Sequence, residues 1–376
     1  MKIIIFGKFR FPFGFAATQL INATAEQFLA MGHRVHIIVA EKGARKPVVA
    51  RKGKVPFTRI SASLKCESAV TIHKVAKAYS RKDSVQDPNI LIRYGLPDLS
   101  TMYVEWIARL NKYRICHWIV EDYSAYDIRK VEPGTSRQKI LESRWFDRWL
   151  HMYTDGFVVI SSWLFEKYRK RHSNVAKIPI ATPYALQPST ADGPIRKYTI
   201  TYAGTMGYKD GLDILIDAIT IVRKTIPGVC LEIIGKGERE SIYTRKCESI
   251  DYVKFTGYLD HREYWRHLCS SHVLCMTRLG SKFANAGFPY KMCEYLATGR
   301  PVLATRVGDV EEYLADGKDA FIVSPDNAIE MAERLIYILK NDHDASRVGQ
   351  SGQRVCMSTF NPKINTRQFE YFLSKL

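Results

Sequence analysis

The sequence predicts an α/β protein of two successive doubly wound, Rossmann-like domains. The chain of 376 residues exceeds one ordinary core and suits two domains of roughly 150–200 residues each. It opens on an apolar run, Ile3–Phe6, a glycine-bearing loop (Gly7 to Gly14), a helical pattern and a second apolar run, Val35–Val39. That strand–loop–helix–strand order implies a parallel sheet. The same order starts again at Tyr198, after a stretch of linker composition at 181–197. Two such domains imply a ligand crevice between them, outside the carboxyl ends of the strands.

In the first half, Leu20, Ile21, Ala25, Phe28 and Leu29 recur at helical spacing, and Gly32 ends the helix. Residues 40–65 read as loop and edge structure. Ser68–Ala78 and Ser100–Leu110 read as helices. Ile115–Val120 is a strand that runs into Glu121-Asp122. Arg137–Met152 is a helix, and Phe157–Ile160 a strand leading to Ser161-Ser162 and another helix. In the second half, Tyr198–Ala203 is a strand, Gly204–Gly211 a loop and Leu212–Lys224 a helix. Val229–Ile234 is a strand ending in Gly235-Lys236-Gly237. Val253–Phe255, His272–Thr277, Val302–Ala304 and Ala320–Val323 are strands; Arg262–Ser270, Val310–Leu314 and Asn327–Lys340 are helices. The expected domains are 1–185, 186–360 and a helix at 361–376 packing back on the first.

No run approaches the roughly 18 apolar residues that span a bilayer. The apolar stretch at the start is too short for a signal peptide and meets charge at Lys8 and Arg10. Eight cysteines show no C-x-x-C pair, and several lie in apolar runs, as Cys230 and Cys275 do. They read as reduced core residues of a cytoplasmic protein, without a zinc or disulfide framework. The net charge of +18 is uneven. Residues 1–190 hold 31 Lys+Arg against 15 Asp+Glu; residues 191–376 hold 25 against 23. A basic bias spread over the whole chain would affect both halves. The excess in one half points instead to an anionic partner: a membrane surface, an acidic glycan or a nucleic acid. The Arg144–Leu150 stripe of Trp, Phe and Arg reads as an interfacial helix or, as such stripes more often do, as core.

The chemistry gathers in loops at strand ends. The densest signal is Gly287-Phe288-Pro289-Tyr290-Lys291-Met292-Cys293-Glu294, a loop that opens a helix with Pro289 at its first position. Lys291 and Glu294, three apart, share one helix face near that start. The helix N-terminus and the lysine favour an anion, and the glutamate can accept sugar hydroxyls. A solvated ion pair explains the same spacing. Lys209, in the Gly204–Gly211 loop before a helix, suits a phosphate, and Arg278 can reach the same anion. Gly235, Lys236 and Gly14 lie where backbone can approach a ligand closely. Glu121 and Asp122 are either a catalytic carboxylate pair or capping acids. No P-loop, no G-x-G-x-x-G after the first strand, no G-x-S-x-G and no H-E-x-x-H occurs. A dinucleotide oxidoreductase is therefore disfavoured.

Taken in order, Ile200–Gly204, Lys209–Ala218, Leu231–Gly237, Phe255-Thr256-Gly257-Tyr258, the Gly287–Val302 motif and Asp316–Phe321 resemble the donor half of a retaining glycosyltransferase. The class is the GT-B, glycogen-synthase-like one (family four, group 1). Phe11–Thr18, with Gly14 and Phe15, and Gly32–Val35 are similar to its opening. The resemblance implies that 1–185 is a basic acceptor-side domain and 186–360 the nucleotide-sugar donor domain. Lys209 would bind the donor diphosphate, Lys291 lie near it, and Glu294 hold the ribose. Gly204, Gly235, Lys236, Tyr258, Arg278, Phe288 and Pro289 would line the donor. Two departures stand out. Thr205 replaces the usual diphosphate-binding arginine, and Ala286 the first glutamate of the E-x7-E pair.

The implied activity is retaining transfer of a sugar from a UDP- or GDP-sugar to a glycan or lipid-linked acceptor, in cell-surface polysaccharide or lipopolysaccharide synthesis. It would need no metal or cofactor beyond the donor co-substrate. Lys209 and Lys291 would stabilise the leaving diphosphate, and Glu121 or Asp122 is the candidate carboxylate nucleophile. The basic half implies a cytoplasmic protein at the inner face of the membrane. A nucleotide-sugar 2-epimerase shares the fold but leaves the basic half unexplained. A non-enzymatic nucleic-acid-binding protein has no recognition module behind it.

Overall fold

The computed structural model describes the whole chain apart from residues 15, 45, 64–65, 81–87, 126, 132 and 187–193. It divides into two compact units. One comprises Met1–Ala125, Thr135–Pro183 and Pro362–Leu376, the other Tyr126–Gly134 and Tyr184–Asn361.

The first unit is built on eight strands: β1 (Lys2–Gly7), β2 (Arg34–Glu41), β3 (Val48–Lys52), β4 (Val55–Ser61), β5 (Asn89–Tyr94), β6 (Tyr113–Ile119), β7 (Gly156–Val159) and β8 (Val175–Lys177). Their order is β3-β4-β2-β1-β5-β6-β7-β8, parallel throughout except for the β3–β4 hairpin at one edge. β1 is buried along its length because helices cover both faces of a parallel sheet. Periodicity passes over β5, since Ile90-Leu91-Ile92 is a short apolar run between Pro88 and Gly95. It nonetheless pairs with β1 and β6 at the centre of the sheet. On one face lie the helices Ala16–Ala30 and Pro362–Lys375. Phe369 of the latter packs edge-on against Phe28 at 5.8 Å and Trp118 at 5.1 Å. Its Glu370 meets His33 at 2.7 Å, and Asn365 donates to the carbonyls of Pro179 and Ile180.

The second unit carries β9 (Arg196–Ala203), β10 (Cys230–Ile234), β11 (Val253–Gly257), β12 (Ser271–Met276), β13 (Val302–Thr305) and β14 (Phe321–Val323). All are parallel, in the order β11-β10-β9-β12-β13-β14. The chain winds outward one way from β9 and the other way from β12. The switch point of the sheet, where open α/β sheets take their ligands, therefore lies between β9 and β12. The core beneath is formed by Leu212, Leu215, Ile219 and Val222 of the Leu212–Thr225 helix. Met331, Leu335 and Ile338 of the Ala328–Lys340 helix join it against the strand side chains.

Candidate functional site

The loops after β9 and β12 meet at that switch point. Gly211 has φ +68°, and a Cβ there would stand 1.8 Å from the carbonyl oxygen of Thr277, so no larger residue fits. Thr277 donates its hydroxyl to the Asp210 carbonyl at 2.8 Å, and the Leu279 amide donates to the Lys209 carbonyl at 3.0 Å. The Gly235 loop packs on the same turn. A Cβ on Gly235 (φ +118°) would lie 2.2 Å from the Gly204 carbonyl oxygen, and one on Gly237 would lie 2.4 Å from the Met206 nitrogen. These two glycines thus have a packing cause within the protein. Lys236 between them is exposed.

Helix Tyr290–Ala297 is tied to the end of β9 by Tyr295, whose hydroxyl donates to the Ala203 carbonyl at 2.8 Å and accepts from the Ala203 amide at 2.7 Å. The helix starts one residue later than its sequence suggests. Pro289 has φ −71° and ψ 114°, an extended conformation that makes it the cap, without a side-chain hydrogen bond, and not the first helical residue. Phe288 is buried against Tyr313 and Phe360, with ring centroids 5.5 and 5.2 Å away. Its side chain is therefore an anchor for the loop. Tyr258 is exposed.

Lys291 is not a solvated partner of Glu294. Its ammonium donates to the Tyr202 hydroxyl at 2.6 Å and to Asp210 Oδ1 at 3.0 Å. Asp210 is 2% exposed, and its Oδ2 accepts from the Thr205 hydroxyl at 3.0 Å and the Gly207 amide at 3.1 Å. One carboxylate thus holds both the lysine and the Gly204–Gly211 turn. Burial pulls the Asp210 carboxyl upward, but the fields of Lys291, Lys209 and Arg278 overcome it and hold the group below the usual carboxylate range. Burial lowers the Lys291 ammonium, against the pull of Asp210, with Arg278 and Lys209 adding to the fall. Lys209 lies with its ammonium 5.4 Å from the Phe283 ring centroid. Arg278 is half-buried, its Nε without a hydrogen-bond partner among the described residues and its carbonyl held by Thr305 at 2.8 Å. Lys209, Arg278 and Lys291 set three positive charges against Asp210 beside an uncapped helix start. That composition favours an anion of more than one negative charge.

Glu294, one turn on, accepts a 2.8 Å hydrogen bond from the Tyr264 hydroxyl. Burial pushes its carboxyl up to about 7, against the pull of that bond and of Lys291. Tyr184 packs on Trp265 at 4.3 Å; burial raises the Tyr184 hydroxyl, and the field of Glu294 adds to the rise. Asp210, Tyr202 and Tyr264 were missed by the sequence reading. An acid inside a glycine-bounded loop looks like a solvated turn residue, and tyrosines look like core.

The remaining candidates lie in the first unit. Asp122 follows β6 and is buried. It accepts from Ser124 and pairs with Lys167 at 3.1 Å, so its carboxylate is already engaged; Glu121 beside it is half-buried. A Cβ on Gly14 would meet the Thr18 hydroxyl at 2.3 Å, in a turn closed by Thr18 donating to the Arg10 carbonyl. Phe15 is outside the described residues.

Residues 197–341, the span that contains Lys209, Asp210, Arg278, Lys291 and Glu294, match the family model for glycosyl transferases group 1. That span of the chain resembles a group 1 glycosyltransferase domain. A phosphatidyl-myo-inositol mannosyltransferase of Mycobacterium leprae is 25% identical over 156 residues, 41% of this chain and 41% of that protein. The match thus spans about two fifths of that curated relative. Among solved structures, Anabaena HepE with UDP and glucose superposes with a TM-score of 0.74 at 15% identity over all of both chains. Sucrose-phosphate synthase from Thermosynechococcus elongatus gives 0.75 at 18% identity, over all of this chain and 98% of that one. At such identities the likeness fixes the fold, which is GT-B. Within the matched span, the threonine that stands in place of an arginine, Thr205, bonds Asp210, and the alanine that stands in place of a glutamate, Ala286, is buried.

Proposed function

We propose that this protein transfers a glycosyl group from a UDP- or GDP-sugar to a glycan or lipid-linked acceptor in cell-surface polysaccharide or lipopolysaccharide synthesis. The observation that carries this is the convergence of Lys209, Arg278 and Lys291 at the β9/β12 switch point, with Glu294 one turn farther along the same helix. In such a reaction negative charge grows on the departing diphosphate while positive charge grows on the sugar. Cations and helix amides fixed beforehand lower that barrier without reorganising. Lys291 is preset by Tyr202 and Asp210, so it need not search for its place when the donor binds. With Thr205 in place of an arginine, Lys291 and Arg278 supply the second and third cations. Glu294, ionised, accepts hydroxyls of the nucleotide ribose. Transfer proceeds with retention, by attack on the face from which the diphosphate leaves, and the departing phosphate oxygen takes the acceptor proton. The charges of these side chains do the work that a metal does in other transferases.

The test is a panel of UDP- and GDP-sugars offered to the purified chain with and without a lipid-linked acceptor. The expected outcome is nucleoside diphosphate release that depends on acceptor for one donor, with the anomeric configuration kept. If no nucleoside diphosphate binds and none is released, the reading fails.

A further inference from the structure

The helices Cys66–Ser80, Tyr103–Leu110, Arg137–Trp149 and Ser162–Arg169 cover the second face of the first sheet. Glu105 reaches His117 of β6 at 4.0 Å, Tyr168 stacks on Phe157 of β7 at 4.5 Å, and Tyr168 donates to Asp147 at 2.9 Å. The outer surface of two of these helices is apolar where water favours charge. On the first, Trp106 is 65% exposed and Leu110 and the preceding Met102 are exposed too. On the second, Leu141, Trp145 and Trp149 recur every fourth residue, and Met152 and Tyr153 continue the line; Trp145 is 48% and Trp149 40% exposed. This corrects the expectation that the stripe is core, since only Ile140, Phe146 and Leu150 turn inward as large apolar groups. The two lines are joined. Arg109 donates to the Tyr153 carbonyl at 3.1 Å and pairs with Asp155 at 2.7 Å.

The fully exposed charges of the second of these helices are basic. On Arg137–Trp149 the exposed charged residues are Arg137, Lys139, Arg144 and Arg148. The acids are drawn in: Asp147 is buried against Lys167 and Tyr168, and Glu142 is half-buried. Exposed indoles with arginines between them suit the headgroup region of a bilayer, and the leucines and methionines suit its acyl edge. A second copy of the chain would bring Arg144 and Arg148 of both copies into one self-complementary contact, where they repel. A nucleic acid would use the rings and arginines but leave the aliphatic members of both lines without a partner.

We propose that this surface docks the chain on an anionic lipid bilayer. It shares no residue with the donor site, and its test contains no nucleotide, so either reading can fail alone. The full chain is mixed with sucrose-loaded vesicles of phosphatidylglycerol in phosphatidylcholine, or of phosphatidylcholine alone, and sedimented. The expected result is binding to the anionic vesicles that weakens with salt, with a blue shift of tryptophan emission. Replacing Trp106, Trp145 and Trp149 together by serine should cut partitioning at least roughly tenfold. Arg144→Gln and Arg148→Gln should each cut it about fivefold at low salt and less at high salt. All are surface positions, and unchanged thermal unfolding checks each variant. The proposal is overturned if wild type ignores anionic vesicles, or if both variant sets bind as wild type does. It is equally overturned if the tryptophan set abolishes a dimer or oligonucleotide binding while vesicle binding is absent.

Discussion

Replacing Asp210 by asparagine tests the device that positions Lys291. Among the described residues the carboxylate is the ionic partner of a nearly enclosed ammonium, whose side chain is 14% exposed. Its other oxygen takes two further hydrogen bonds, from Thr205 and Gly207. An amide of the same shape has one acceptor oxygen. Turned toward Lys291, it sets an NH2 against two donors; turned away, it sets that NH2 against the ammonium. Removing one partner of a buried pair costs about 3–5 kcal/mol, and a retained neutral hydrogen bond returns about 1 kcal/mol. The expected loss is thus about 2–4 kcal/mol. At roughly 2–4 °C per kcal/mol for a unit of this size, the transition containing the second unit should fall by about 4–16 °C. Differential scanning calorimetry reads this directly. The pH dependence gives a second check. The folded Asp210 carboxyl lies below its unfolded value, so its stabilisation is full above the ordinary carboxylate range and is lost as pH falls through the folded value. The Lys291 ammonium is depressed, so its cost is present below its folded value and is relieved as pH rises toward the unfolded one. The gap between wild type and variant should therefore be widest near neutrality and close on acidification. A gap below about 0.5 kcal/mol at pH 7, or one that persists in acid, would refute the reasoning.

Two further predictions concern the ligand. Glu294 titrates at about 7, so nucleoside diphosphate affinity, read by titration calorimetry, should rise as pH passes upward through 7 and then level; Glu294→Gln should remove that step. The same step in both proteins would exclude the carboxylate as its origin. Lys291→Ala should weaken UDP or GDP binding by about 1.5–3 kcal/mol, roughly 10- to 150-fold; unchanged affinity and turnover would remove Lys291 from the site.

What could be read from the sequence follows from how far apart the interacting groups lie. The strand–helix alternation is local, so both sheets and the order of loops at the switch point were legible. Lys291 and Glu294 stand out because three-residue spacing shows on one helix, but that spacing leaves a solvated pair open, and their actual partners lie far off in sequence. Lys291 turns to Asp210, 81 residues earlier, and Glu294 to Tyr264, 30 residues earlier. No local pattern encodes either partner. β5 was passed over because a strand buried on both faces needs only a short apolar run, which periodicity does not distinguish from a loop. The Arg144–Leu150 stripe showed its composition but not its orientation, since a tryptophan at helical spacing looks the same facing core or solvent.

The helix Pro362–Lys375 gives the chain an order of assembly. The sequence of the second unit lies between the body of the first and this helix. The first unit, begun earliest, lacks one wall until the last residues emerge: Phe28 and Trp118 have no Phe369 to meet, and Gly156 no Phe372 beside it. The basic unit thus cannot close until the sequence of the whole second unit has been made. A gene fragment ending near residue 183 would carry that open face permanently, and aggregation is its natural fate. Expressing the halves separately therefore calls for joining 362–376 to the first by a designed connection.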